Sequence, residues 1–498
     1  MLGRIIATEE GPTPSQFCFL SSARVDKNSF VEYELDGGRG LAMITDLRKD
    51  NRYYSEAENV HQSDRAGVDL SARFPTGEWE YLLATCQVHG LLKDGRVLRA
   101  TTAPSPGTKV GKAGNDLLQV FLGFEQGGLH IGSVEHHDLD VRVPVSRLFQ
   151  KHVAILAMSG AGKSYLTSVI LEELLSRKQE QTPAVVLVDV HGEYSSLADD
   201  TTVRGRVRVI RGEDLKLPVS SLSPHDFFTL IPDASAPQKR ELRRVIEEAR
   251  HAMREGSGPY DMQELVKRVE NDSKMNELVA EALVAWLSGL DATNLFDKHG
   301  MDVAKLANVG NLSILDLGEM IDSRKKQMIL SYIAGQLFNK RRANSIPPFL
   351  LIVEEAHQFC REGATSGDSL SRDIIETIAR EGRKFGASLC LISQRPIQLS
   401  TTALSQCNSV VILRVTNPYD IKHIGESCEA LDRSSLDSIT TLQVGEALIV
   451  GEAVRFPLFI KVRQRRSQES RPSKTLEEMA GEFASSRLTR AADAAAFM

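Results

Sequence analysis

Residues 157–164 read Ala-Met-Ser-Gly-Ala-Gly-Lys-Ser, between an apolar run at 153–156 and a helical stretch that starts at Tyr165. Strand, glycine loop and helix in that order require an α/β layer in which the loop caps a parallel strand. The curled backbone N–H groups and the positive end of the helix can cradle a pyrophosphate, Lys163 reaches the outer phosphates, and the Ser164 hydroxyl ligates Mg²⁺. Ser159, Gly160, Ala161, Gly162, Lys163, Ser164 and Tyr165 are therefore expected to bind nucleotide, with ATP and Mg²⁺ as the cofactors. The pattern G-x-x-x-x-G-K-[ST] asks for glycine where this chain has Ala157, a methyl that a negative φ accommodates.

A phosphate loop needs an acid at the end of a neighbouring strand. Three apolar runs end in one: Asp189 after AVVLV, Asp316 after SIL, and Glu354-Glu355 after FLLIV. The tandem pair fits best, because one carboxylate can act through the Mg²⁺ shell while the next orients and deprotonates the attacking water. Glu354 is assigned to the metal shell and Glu355 to the catalytic base; Asp316 is read as a strand end. Asp189, His191 and Glu193 cluster in VDVHGEY beside the same site, either supporting the metal or the water or forming a polar turn after a core strand.

Further strands are expected at 185–188, 207–210, 313–315, 349–353, 388–392 and 410–415, separated by helical stretches, which is the alternation of a mainly parallel sheet. Residues 224–299 contain no convincing strand and read as helices, for instance 238–255 and 276–290, hence an all-helical insertion. Leu242, Val245, Ile246 and Ala249 give one of these a packed face. Residues 1–145 instead alternate short β-rich runs with turn signals such as Asp36-Gly37-Gly38 and Asp94-Gly95, as in a small barrel or sandwich. The expected organisation is a β-rich domain, barrel or sandwich, at 1–145, an ATPase core at 146–222 and 301–462, a helical insertion at 223–300, and a polar tail at 463–498 read as a solvated or linker segment, with a helix at 476–483.

Composition removes alternatives. With 498 residues, 42% hydrophobic and 25% charged, the chain is that of a globular protein with room for two to four domains. Its longest apolar runs are far short of a membrane helix, and its N-terminus lacks a signal core, so a cytoplasmic location without membrane contact is expected. The six cysteines have no metal-type spacing beyond His357/Cys360 and are read as reduced. A net charge of −6 provides no global attraction to nucleic acid, so such binding needs a local basic surface. Basic clusters at 239–244, 324–326 and 340–342 also suit ordinary solvated helices.

A helix at 374–385 leads into the strand ending in Gln394, whose amide is suited to sensing the γ-phosphate. Arg380 and Arg383, three apart on that helix, project from one face. In a ring, either could reach the next subunit's nucleotide and stabilise transition-state charge.

Together, LFQKHVAILAMSGAGKS (148–164), VDVHGEY (188–194), LLIVEEAHQF (350–359), IAREGRKFG (378–386), LISQRP (391–396) and LSQCNSVVILRVTNPYD (404–420) resemble the HerA branch of the HerA/FtsK superfamily of ring-shaped DNA-pumping ATPases. The resemblance implies a RecA-like core capped by a HerA-type barrel. It also implies a homohexamer with ATP at subunit interfaces, acting as helicase or translocase on double-stranded DNA, with a nuclease or other effector docked at the barrel face. Lys151 corresponds to the family's basic residue before the histidine ahead of the phosphate loop, where arginine is commoner, and is expected to contact phosphate. Ala157, Ser159 and Ala161 depart conservatively from the family's G-M-T-G-S-G-K-S. A different class of function is an ATP-gated scaffold that activates a partner enzyme, for example in antiviral defence, with little pumping.

Overall fold

The computed structural model describes residues 1–8, 11–51, 54, 57–66, 80–203, 205–365, 368–428, 431–468, 475–481 and 483. Parts of the expected tail, residues 469–474, 482 and 484–498, lie outside them, and a helix covers 476–481.

The N-terminal strands are β1 (Gly3–Ile6), β2 (Gln16–Ser21), β3 (Phe30–Leu35), β4 (Gly38–Asn51), β5 (Glu80–Lys93), β6 (Arg96–Leu98) and β7 (Lys109–Lys112). They pair antiparallel in the order β2-β1-β7-β3-β4-β5-β6, and an extra β2–β5 ladder closes the first six into a barrel. Closure leaves no free sheet edge among those six. Phe17, Phe19, Val31, Tyr33, Ile44 and Val110 fill its interior. Asp36-Gly37 and Asp94-Gly95 both take positive φ, the geometry of a tight hairpin turn, which is why these dipeptides signalled the β3–β4 and β5–β6 hairpins.

Among the described residues, the larger sheet has eleven strands. Its members are β8 (Leu129–Val134), β9 (Asp140–Val143), β10 (Val153–Leu156), β11 (Ala184–Asp189), β12 (Val207–Arg211), β15 (Leu312–Asp316), β16 (Phe349–Val353), β17 (Ala387–Ser393), β18 (Ser409–Ile412), β19 (Glu446–Gly451) and β20 (Leu458–Val462). The order is β12-β15-β11-β16-β17-β10-β18-β19-β20-β8-β9, parallel up to β18 and antiparallel beyond it. The parallel part is made of the seven strands expected from sequence. Its strands are continuous apolar runs because both faces are covered: Ala154 and Leu156 enter one core, Val153 and Ile155 the other.

Two expectations change. Residues 129–143, assigned to the N-terminal domain, form the β8–β9 hairpin at the edge of the ATPase sheet, where Val134 pairs with Ile460. A hairpin pattern carries no information about which sheet it will join. The segment 463–468, expected to be solvated, is docked: Arg463, its side chain 10% exposed, pairs with Glu172 at 2.9 Å and Glu173 at 2.8 Å on the helix Lys163–Ser176.

The insertion is helical at Pro224–Leu230, Ala236–Ala252, Met262–Glu270 and Glu277–Asp291. Ser223 and Ser235 open the first two with capping boxes completed by Asp226 and Gln238. Leu242, Val245, Ile246 and Ala249 pack into the core as the periodicity predicts. The two-residue strands β13 (Leu217–Pro218) and β14 (Phe296–Asp297) pair at the neck of the insertion.

Candidate nucleotide site

β10 lies between β17 and β18, and its C-terminal end runs directly into the glycine loop. Ala157 keeps a negative φ, is fully buried, and donates its N–H to the Ser393 carbonyl at 3.1 Å, so the methyl replaces glycine without strain. Gly160 and Gly162 have φ of 76° and 98°, where a side chain would be costly. Gly162 starts the helix Lys163–Ser176 with no side-chain cap. The first N–H groups of that helix therefore point into the loop, the arrangement that receives an anion. With Lys163 and Ser164 at the same end, the donor set fits a magnesium nucleotide.

Lys163 is buried, with Nζ 3.5 Å from Oε1 of Glu355. The acid strand β16 is not adjacent to β10, as the sequence reading assumed; β17 stands between them. The side chains bridge that gap, with Lys163 leaning across toward β16. Glu355 takes a left-handed conformation, φ 49° and ψ 44°, at the turn into a 3-10 segment, Ala356–Gln358. Such strain in a non-glycine residue persists only where its surroundings impose it.

The tandem glutamates have different surroundings. Glu354 is buried, and its Oε2 accepts the Val190 N–H at 3.0 Å. Burial, then the negative charges of Asp189 and Glu193, push its carboxyl well above the usual range. A role in the metal shell would require it to turn from that contact. Asp189 is engaged locally as well: Oδ1 accepts from the backbone of His191, Gly192 and Glu193, and Oδ2 from Tyr194 at 3.1 Å. It shapes the turn after β11, and burial raises its pKa despite those donors. His191 is half exposed, 3.9 Å from Glu355. The Glu193 charge is felt at Glu354. Asp316 accepts from Gly318 N–H and from the Ser195 hydroxyl, as a strand-end acid should.

Two residues near the acids were missed. His357 is buried with Nδ1 3.3 Å from Glu355 Oε2 and 3.2 Å from the Ser393 hydroxyl. Burial, helped by the nearby Arg395 and Lys163 charges, pushes its pKa down to about 4 and keeps it neutral. In the sequence it carried only a metal-spacing signal with Cys360. Lys326, part of a basic cluster weighed for DNA contact, is buried and donates to the Val190 carbonyl at 3.4 Å. Burial lowers its pKa, opposed by Asp189 and Glu354. It faces the acids and is not free for a polyanion.

Gln394 follows the tip of β17 directly and is half-buried beside the loop, since Ser393 is the register partner of Leu156. Ser159 is exposed on the loop and Ala161 is buried beneath it. Tyr165 accepts the Arg465 N–H on its hydroxyl at 2.7 Å, which ties the nucleotide helix to the docked segment.

The remaining cations are at the other end of the sheet. Lys151 precedes β10 and so lies opposite the loop; the four residues of β10 alone span about 13 Å. It is ion-paired with Glu452, and its carbonyl accepts the Asn408 N–H at 3.0 Å. Lys151 thus cannot contact phosphate in its own loop, which corrects the simplest reading of its motif. Arg380 closes the helix Arg372–Glu381 and lies 3.4 Å from Glu376; Arg383 is exposed in the 3-10 turn Gly382–Phe385. Both precede β17, at the end of the sheet that holds Lys151. Glu452 is held below the usual carboxylate range chiefly by Lys151, with Asn408 and the Arg383 charge adding to it.

The family described as "Helicase HerA, central domain" matches residues 129–337. The chain is 29% identical over 466 residues to the DNA double-strand break repair helicase HerA of Sulfurisphaera tokodaii, covering 89% of each chain. It is 26% identical over 514 residues to the protein of that name from Pyrococcus furiosus, covering 92% of this chain and 91% of that one. Among solved structures, VirB4 of Thermoanaerobacter pseudethanolicus superposes with a TM-score of 0.53 at 17% identity, over 71% of this chain and 98% of VirB4, a likeness of fold. A strand-loop-helix phosphate cradle facing a buried glutamate, on a chain similar to these relatives over about nine-tenths of its length, makes it a P-loop ATPase that resembles the HerA helicases.

Proposed function

We propose that the chain is a DNA-translocating ATPase that works as a homohexameric ring with ATP between protomers. One observation carries the interface reading. Lys163, Ser164 and Glu355 sit at one end of the sheet, while Lys151, Arg380 and Arg383 sit at the other, beyond reach of their own cradle. A ring brings the second end of one protomer to the first end of the next, and an arginine supplied in this way stabilises charge at the transferring phosphoryl group. The part that concerns DNA is supported by the relatives named as DNA double-strand break repair helicases.

In this reading Lys163 and the loop N–H groups bind the phosphates, and Ser164 holds Mg²⁺, whose charge offsets that on the phosphates. Glu355 accepts the proton of the attacking water. His357, itself bonded to the Ser393 hydroxyl, stands beside its carboxylate, Gln394 senses the γ-phosphate, and Glu354 with Asp189 and Lys326 keeps the acid turn rigid. A nuclease or other effector at the barrel face completes the assembly. The test is ATPase activity of purified rings with and without duplex DNA, together with particle mass. Hexamers hydrolysing ATP several-fold faster on duplex DNA are expected; rings indifferent to DNA, or an active monomer, would overturn it.

A further inference from the structure

His152 stands between Lys151 and β10 and has no part in the chemistry above. It is buried and takes φ 62°, a left-handed bend that turns the chain from Lys151 into the strand leading to the phosphate loop. Its Nδ1 accepts the Leu389 N–H at 3.0 Å, so the ring hydrogen resides on Nε2. Its Nε2 is buried without a hydrogen-bond partner among the described residues, with the backbone of Ala379, the residue before Arg380, near the imidazole, and burial pushes the ring pKa down to about 4 and keeps it neutral. A single side chain is thus bonded to β17 and lies beside the last turn of the arginine helix, and its backbone joins Lys151 to β10.

We propose that His152 is a positioning residue for the cations given to the neighbouring subunit: it fixes Lys151 and the Arg380–Arg383 turn at a set distance from the glycine loop of its own chain. This rests on the interface reading given under Proposed function. Buried polar contacts of this kind over-determine a conformation that β-strand propensity alone would not give. A misplacement of about 1 Å in such a charge is enough to cost a hundredfold in rate.

The test uses His152→Gly, which tolerates the positive φ and deletes the ring, and His152→Asn, which also tolerates it and can keep an acceptor for Leu389. For full-length His152→Gly, kcat for ATP falls on the order of ten- to a hundredfold, with KM and the affinity for a fluorescent ADP analogue within about twofold of wild type. His152→Asn recovers part of the loss. Mixed with Lys163→Ala protomers, either His152 variant regains activity above both parents, because a sound cradle on one protomer then meets sound cations on the next. Unchanged kcat, or loss of nucleotide binding in both variants, overturns the proposal. If Arg383→Ala complements Lys163→Ala and His152→Gly does not, His152 is not acting through the cations, and the interface reading stands. If neither complements, the interface reading itself has failed.

Discussion

At the scale of single residues, the site is organised by carboxylates with different partners. Glu355 faces Lys163, His191 and His357, while Glu354 and Asp189 accept backbone N–H groups. Glu355→Gln keeps the side-chain shape and removes the proton acceptor, so hydrolysis is expected to fall by about 10²–10⁴-fold. It also releases Lys163 from its ion pair, so affinity for ATP is retained or increased. Phosphate release and equilibrium binding of a fluorescent ATP analogue separate these effects. Lys163→Ala should do the opposite and lose nucleotide affinity; equal affinity in the two variants would refute both assignments.

At the scale of elements, the helix Lys163–Ser176 carries the glycine loop at its N-terminus and is held along its body by segment 463–468. Burial raises the Glu172 pKa, but the Ser467 N–H and hydroxyl, Arg463 and the Arg466 N–H outweigh it and hold the carboxyl below its usual range. Removing one partner of a buried ion pair leaves the other charge without compensation. Arg463→Ala is therefore expected to destabilise the ATPase core by about 3 kcal/mol. Chemical denaturation checks this, and a loss under 1 kcal/mol would mean that water replaces the guanidinium. Tyr165 accepts from Arg465 beside Ser164, so the same variant should also weaken nucleotide binding.

At the scale of the whole molecule, barrel and ATPase core meet over two histidines, His137, which is buried, and His89, which is half-buried. His137 Nε2 accepts the Phe30 N–H at 3.0 Å, and His89 packs on Phe456 with ring centroids 4.3 Å apart. Burial pushes both, with His152 and His357, down to about 4 from an ordinary value near 6.5. The unfolded chain then takes up protons first as pH falls. Stability is intact above about pH 6.5 and is lost toward pH 4, at roughly 1.4 kcal/mol per pH unit for each histidine. Glu354 and Asp189, whose pKa values are raised, oppose this trend. The melting temperature should drop between pH 7 and pH 5, and His89→Gln should make that drop shallower. A melting temperature flat across that range would contradict the buried, neutral state of these rings.

The glycine loop, the seven parallel strands, the hairpin turns and the tandem acids were legible in the sequence because each is set by neighbours within a few residues: φ at glycine, unbroken apolar runs, capping side chains. Which end of the sheet a residue occupies, and what it meets there, depends on strands distant in the chain. Lys151 sits six residues before the loop's first position yet at the opposite end of β10. Lys326 reads as one of three consecutive cations but is buried beside Asp189 and Glu354. His357 gains its partner from β17, and Arg463 its partners from a helix about 290 residues earlier. The local chemistry of the cradle was thus fixed by sequence alone, whereas the separation of cradle from cations, on which the interface reading depends, was decided by the order of strands in the sheet.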